Sequence, residues 1–337
     1  MHDGVQRRRD FYRCRHSLYP FRGPLMNLFS TLPDRRAAAA PEAAAVADDS
    51  IDLNNAGFLD AVRRAAATLR AAGVSSGDVV AIMLPNTAAY VVSLFAIWRV
   101  GATVTLIDPS LTAEEADYQL SNTGATVLIT EQRPTPDTGV HVVIPAGDLT
   151  TADPDVTEPA RPRNDTLALL FPSSATTGKP HSVTIDHANL DAMCSLAIEA
   201  FELTAADHSL LNLPLVHVNS IVVGTLSPLL ADGRATVAFS PKTFFDRIER
   251  SRATYISAAP TTYALLSDLP DQIRPNTSSV RFAICGAAPA DVELLTKFER
   301  RYRIPIIDGY VSEVPVRARR PPSPARWTPS EYSRRAS

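Results

Sequence analysis

Apolar and polar positions along the chain follow two periods in alternation. From Asn55 the spacing is helical: Phe58, Leu59, Val62, Ala66 and Leu69 recur at three- and four-residue steps, and Ala72-Gly73 closes the run. DVVAIML (78–84) then reads as a buried strand, TAAYVVSLFAIWRVG (87–101) as a helix stopped by Gly101, and ATVTLID (102–108) as the next strand. In a third cycle Thr112 caps a helix with Glu114 and Glu115 in its first turn, where carboxylates suit the helix dipole, and ATVLIT (125–130) supplies another strand. Strands alternating with helices of this length predict an α/β fold of parallel sheets covered by helices on both faces.

Residues 131–163 are rich in proline, Asp and Thr and read as a connection holding one strand, HVVI. A second α/β segment begins near Asp165 and runs through LLNLPLV, ATVAF, a helix from Phe244 to Arg252 and VRFAICG. The resulting division is 1–25, a disordered basic extension; 26–163, a first α/β subdomain; 164–313, a second; and 314–337, a disordered Arg/Pro-rich tail. That tail holds six Arg and five Pro in 24 residues and no Leu, Ile or Gly, a composition that builds no core.

A chain of 337 residues with 45% hydrophobic and 20% charged content can bury a large core. Its net charge of -3 gives no electrostatic footprint for nucleic acid, so a small-molecule partner is expected. Cys14, Cys194 and Cys285 lie far apart without CxxC spacing, which argues for reduced thiols in a cytoplasmic protein rather than a zinc site or a disulfide framework. The most apolar stretch, Val79 to Trp98, is cut by Pro85 and Asn86 into pieces too short to cross a bilayer, so no transmembrane segment is expected.

Candidate chemistry centres on FPSSATTGKPHSV (171–183), a hydroxyl-rich loop between an apolar run and an expected helix. Set against the P-loop pattern GxxxxGK[ST], it places Ser173 at the first glycine and Pro180 at the magnesium-binding hydroxyl, which leaves a P-loop NTPase as the runner-up. The loop resembles more closely the phosphate loop [ST]SG[ST]TGxPKG of the adenylate-forming superfamily: acyl-CoA synthetases, luciferases and peptide-synthetase adenylation domains. Three further stretches are similar to the same family in the same order. They are the opening GDVVAIMLPNTAAYVVSLFAIWRVGATVTLIDPSLTAEEADYQL, the PLxH-bearing NLPLVHVNSIVVGTLSPLLADG, and CGAAPADVELLTKFERRYRIPIIDGYVSE, which looks like the adenine-binding segment.

This resemblance, covering roughly residues 50 to 313, implies ATP-dependent activation of a carboxylic acid, with a fatty acid as the expected class, through an acyl adenylate toward a CoA thioester. ATP, Mg2+ and CoA are the implied cofactors and co-substrates. Residue by residue, Ser173, Ser174, Thr176, Thr177 and Gly178 would wrap the β and γ phosphates of ATP, and Lys179 would add a cation. His217 would stand at the mouth of the acyl pocket and, with Lys179, is the candidate catalytic side chain. Gly286, Ala287 and Ala288 would line the adenine, with Asp308, Gly309 and a stacking Tyr310 beside it; Ser312 would face the α phosphate and Glu313 would hold magnesium.

The sequence departs from the family's pattern in several places. Ala175 replaces a glycine, at a cost of about 1 kcal/mol or more if the backbone there requires positive φ. His181 exchanges a permanent cation for an imidazole with a reference pKa of about 6.5, and Ser182 replaces the last glycine. GYVSE is one residue shorter than the family's GYG[LMAQ][ST]E, so Tyr310 and the Ser312-Glu313 pair compete for their places. After Glu313 no counterpart follows to the family's ribose-binding Asp or to its C-terminal domain with a reactive lysine, which predicts impaired or lost turnover. The alternatives are a nucleotide- or acid-binding remnant without catalysis and an unstable fragment; oligomeric state is left open.

Overall fold

A computed structural model describes residues 12–13, 29–131, 140–172, 182–237, 243–270, 272–273, 275–286 and 290–308. Two seven-stranded sheets are formed. The first runs β1 (Tyr12–Arg13), β9 (Ser182–Asp186), β8 (Leu167–Pro172), β5 (Thr103–Leu106), β4 (Val79–Met83), β6 (Val127–Thr130) and β7 (Val142–Pro145). The second runs β14 (Ile306–Asp308), β13 (Phe282–Cys285), β12 (Tyr255–Ala258), β10 (His208–Asn212), β11 (Arg234–Val237), β2 (Ala44–Ala47) and β3 (Asp52–Asn54). Neighbouring strands are parallel except for the antiparallel pairs β8/β9 and β2/β3. The helices are α1 (Leu32–Ala39), α2 (Asn55–Ala71), α3 (Ala88–Arg99), α4 (Ala113–Thr123), α5 (His187–Phe201), α6 (Ser227–Leu230), α7 (Phe244–Ser251), α8 (Pro260–Ser267) and α9 (Val292–Tyr302), and a π-helical segment, Ser220–Leu226, leads into α6.

The expected fold class is observed, and the local signals explain much of it. The first helix expected from the sequence, α2, buries Phe58, Val62, Ala66 and Leu69. Thr112 accepts from the Glu115 amide while Glu115 accepts from the Thr112 amide at 2.9 Å, a reciprocal capping box that satisfies two orphan donors of α4. Gly101 ends the α3 turn with φ +84°, and a Cβ there would stand 2.9 Å from Ser76 Oγ.

The division at 163/164 does not match the sheets. Although β8 and β9 lie after it, they pair in the first sheet; β2 and β3 lie before it and complete the second. A parallel strand needs only a free neighbouring edge, so sheet membership follows long-range pairing rather than chain order. Inside the extension expected to be disordered, Tyr12 and Arg13 pair with Val183 and Thr184, capping backbone groups that β9 would otherwise leave unpaired. The tail at 314–337 lies outside the described residues.

Helix α3 is buried on all sides, as its composition demands: Tyr90, Leu94, Phe95, Ile97 and Trp98 are fully enclosed. It packs on β4 and β5 of one sheet and β2 of the other, so one continuous core joins both sheets. Two buried guanidiniums fasten this junction. Arg36 donates to Asn55 Oδ1 (2.8 Å), Leu229 O (2.6 Å) and Gly233 O (2.8 Å), and burial lowers its pKa to about 10. Arg99 donates to Asp34 Oδ2 (2.5 Å) and Thr157 O (3.0 Å). Cys194 and Cys285 are buried and not joined in a disulfide, and no helix among the described residues is long and apolar enough to cross a membrane.

Candidate functional site

In a parallel sheet every strand points its carboxyl end the same way, and ligands gather there because the connecting loops converge on that side. In the second sheet Asn212, Ala258, Cys285 and Asp308 stand in register across β10, β12, β13 and β14. Gly286 follows directly on β13, is buried, and donates its amide to Ala258 O at 3.2 Å. Gly286 and Asp308, two of the residues assigned to the adenine segment, therefore meet at one sheet end, Asp308 being placed by its backbone.

His217 belongs to the loop that leaves this same end of β10. Its amide donates to Pro214 O at 3.2 Å, and its carbonyl accepts from Ser220 and Ile221 at the start of the π-helical segment. The imidazole is exposed, yet the protein crowding it lowers its pKa from the ordinary value, while the Asp108 carboxylate opposes that shift. Asp108 follows β5 of the first sheet and accepts from the Ser110 amide (2.8 Å) and hydroxyl (2.7 Å). Its charge also reinforces the upward shift that burial imposes on the Tyr90 phenol. His217, past the carboxyl end of β10, is thus within electrostatic reach of Asp108, past the carboxyl end of β5.

The loop bearing His217 is held by a residue the sequence reading passed over. Asn86 Nδ2 donates to Leu213 O at 2.7 Å, and Asn86 Oδ1 accepts from Leu215 N at 2.9 Å, so one amide closes a two-bond bracket on the loop. Tyr90 OH adds a bond to Leu215 O at 3.3 Å. The turn before α3 is itself tied to the second sheet, because Asp48 Oδ2 accepts from the Ala88 amide at 2.8 Å. Several buried polar atoms nearby have no partner: both amide atoms of Asn212, Asn219 Nδ2, Ser220 Oγ and Ser257 Oγ. Native interiors leave few such groups, and those they leave cluster where water or a ligand completes the set.

The hydroxyl-rich loop joins β8 to β9. Its flanks, Pro172 and Ser182, pair across the hairpin, so the segment that follows the loop is a strand and α5 begins only at His187. Ser173, Ser174, Thr176, Thr177, Gly178 and Lys179 lie outside the described residues, as do Ala287, Ala288, Gly309, Tyr310, Ser312 and Glu313. The chain leaves β8 at the same sheet end as Asp108, since β5 and β8 are parallel neighbours. For ATP, the described residues that fit are the row of strand ends, where Gly286 presents no side chain to a flat base and Asn212 holds two unpaired amide atoms. Among the described residues no group of three His, Cys, Asp or Glu side chains could hold a metal ion.

The comparisons decide the family. The model of the family described as AMP-binding enzyme matches residues 33–312. The chain belongs to that family. It is 32% identical over 286 residues to a feruloyl-CoA synthase of Amycolatopsis sp, covering 82% of this chain and 58% of the relative. It is 28% identical over 316 residues to an oxalate–CoA ligase of Arabidopsis thaliana, covering 86% and 59%. Among solved structures, O-succinylbenzoate coenzyme A synthetase from Bacillus subtilis in complex with AMP superposes with a TM-score of 0.74 at 26% identity, over 82% of this chain and 57% of that one. An anthranilate CoA ligase in complex with anthranoyl-AMP shares the fold, with a TM-score of 0.79 at 20% identity over 85% and 60%. This AMP-binding chain spans less than two thirds of the length of these relatives.

Proposed function

We propose that the protein activates a carboxylic acid with ATP to an acyl adenylate, on the path to a CoA thioester. The observation that carries this reading is that Gly286 and Asp308 end neighbouring strands of the second sheet, with His217 in the loop past the same end of β10 and within electrostatic reach of Asp108, in a chain whose family model spans residues 33–312. ATP supplies the adenylyl group and, in pyrophosphate, the leaving group. The chain's own residues supply the rest. Ser173, Ser174, Thr176, Thr177, Gly178 and Lys179 would hold the β and γ phosphates, and Glu313 would hold magnesium, which offsets the charge of the departing pyrophosphate. Gly286, Ala287, Ala288, Asp308, Gly309 and Tyr310 enclose the adenine, and Ser312 faces the α phosphate. His217, kept largely neutral by its surroundings, orients the acid at the pocket mouth without a fixed positive charge.

The apolar residues from Ile221 to Leu230 suit the hydrocarbon body of an acid, which includes a fatty acid, whereas the feruloyl-CoA relatives favour an aromatic one. A second reading, nucleotide or acid binding without turnover, is favoured by Ala175 and His181, which weaken the loop's hold on phosphate. Acid-dependent exchange of labelled pyrophosphate into ATP tests the first reading. Exchange above background supports adenylation; ATP-induced thermal stabilisation with no exchange supports the second; neither effect refutes both.

A further inference from the structure

Leu213 and Leu215 are buried where the chain leaves β10, past its last pairing with β12, so their backbone groups need partners from outside the sheet. Two side chains at the start of α3 supply three of them. Asn86 serves Leu213 O at 2.7 Å and Leu215 N at 2.9 Å, and Tyr90 OH serves Leu215 O at 3.3 Å. The next link is local: His217 N donates to Pro214 O at 3.2 Å, while His217 O accepts from Ser220 N at 3.0 Å and Ile221 N at 3.2 Å. Both backbone groups of His217 are thus bonded within a turn whose root is gripped from the first sheet.

The chemistry of Asn86 suits this grip. A carboxamide donates from its nitrogen and accepts at its oxygen, so one side chain can serve a carbonyl and an amide two residues apart. The turn that carries it is anchored on both flanks of the α3 start: Thr87 caps α3 by accepting from Tyr90 N, and Asp48 Oδ2 accepts from Ala88 N at 2.8 Å. Asp48 is itself held, since its Oδ1 accepts from Ser50 N at 2.7 Å and Ile51 N at 2.8 Å.

We propose that Asn86 is a positioning residue for acid activation: by holding Leu213 and Leu215, with Tyr90 beside it, it sets where the His217 imidazole meets the acid. The proposal rests on the adenylation reading above, in which His217 orients the acid. Asn86 acts through the histidine and not on the acid itself. Misplacing an orienting group by about 1 Å can cost on the order of a hundredfold, so a bracket on the loop is felt at the ring.

Ferulate, benzoate and octanoate serve as probes, titrated against the full chain alongside ATP, with pyrophosphate exchange followed for whichever acid binds. Asn86→Ala should weaken acid binding about tenfold or more and raise the KM for the acid, while ATP affinity stays within about twofold. Tyr90→Phe, which removes only the longest of the three bonds, should shift acid binding about threefold in the same direction. In a His217→Ala background Asn86→Ala should add less than about twofold, because residues acting as one unit are not additive. Asp207→Ala, destabilising but remote at the amino end of β10, should leave acid affinity unchanged, which separates positioning from lost stability. Wild-type acid affinity in Asn86→Ala, an equal loss of acid and ATP affinity, full additivity with His217→Ala, a matching acid loss in Asp207→Ala, or no acid bound by the wild-type chain overturns the proposal. Acid binding that depends on Asn86 without pyrophosphate exchange would uphold the positioning and refute adenylation; exchange indifferent to Asn86 would do the reverse.

Discussion

His208 opens β10 and His217 lies in the loop that leaves its other end, and the two rings are used in opposite ways. At the amino end, His208 is buried and both ring nitrogens are engaged, Nδ1 with Ser251 O at 2.9 Å and Nε2 with Thr236 Oγ1 at 2.7 Å. A carbonyl can only accept, so Nδ1 carries the proton and Nε2 accepts from the threonine hydroxyl, an arrangement that needs a neutral ring. Beside it, Asp207 accepts from Thr254 Oγ1 (2.7 Å), Thr204 N (2.8 Å) and Arg281 (2.9 Å). At the carboxyl end, His217 is exposed, and Asn212, Asn219, Ser220 and Ser257 hold buried polar atoms without partners. The contrast lies between the two imidazoles and not between whole sheet ends, since Ser209 Oγ, Ser251 Oγ and Arg234 Nε near the amino end are also buried without partners. His208 spends its bonding capacity on the fold, and His217 keeps an exposed ring.

Acid should expose this contrast most strongly. Burial lowers the pKa of His208 to about 4, with the Arg234 charge adding to the effect, and burial alone lowers His187, packed against Phe29 and Trp98, to about 4. In the unfolded chain each ring takes up its proton near pH 6.5, before the folded chain does, so stability is full above that pH, falls as pH drops from about 6.5 to about 4, and levels off below. At pH 5 each ring should withdraw about 2 kcal/mol, ~4 kcal/mol together, measured by urea unfolding at pH 7.5 and 5. His187→Phe should remove about half of that slope; an unchanged slope would mean the rings do not carry it. Next in size, Asp207→Ala should cost about 3 kcal/mol in the same assay, since it strands three donors at once.

What could be read from the sequence follows the same division between local and distant causes. The helix α4 and its capping box, the apolar face of α2 and the stop at Gly101 are set by residues a turn apart, and each was legible. Gly286 and Asp308 come to one sheet end, as strands contiguous in one motif should, whereas the candidates of the hydroxyl-rich loop lie outside the described residues. The partition of strands between sheets was not legible, since β2, an alanine-rich AAVA, carries no strong strand signal of its own and is placed by pairing with β11. Nor was the bracket formed by Asn86, which looked like a loop residue interrupting an apolar run, because its partners lie 127 and 129 positions away. Asp108 ended a predicted strand and gave no sign that its charge reaches a histidine more than a hundred residues on.

Asn86 is the exception that sharpens the comparison: a polar side chain near the carboxyl ends that is fully spent on structure. Asn86→Ala should cost about 2 kcal/mol, because Leu213 O and Leu215 N lose their partner together. It should also free the His217 ring, seen as a return of its NMR titration midpoint toward the ordinary imidazole value. Lost stability with an unmoved midpoint would mean that the bracket supports the sheet junction and leaves the histidine alone.

The smallest expected effect is the most discriminating, because its sign differs from the others. Asn212 is 4% exposed with neither amide atom bonded, so the free protein bears the cost of dehydrating a carboxamide without a return. Asn212→Leu keeps a similar volume, removes that cost, and should leave urea stability unchanged or raise it by about 1 kcal/mol. If the amide is held in reserve for nucleotide, the same variant should lose most of the thermal stabilisation that ATP confers on the wild-type chain. A gain in stability with the ATP effect intact would show that the unpaired amide serves neither fold nor ligand, while a loss of 1 kcal/mol or more would place Asn212 with His208 and Asp207 among the groups that build the sheet.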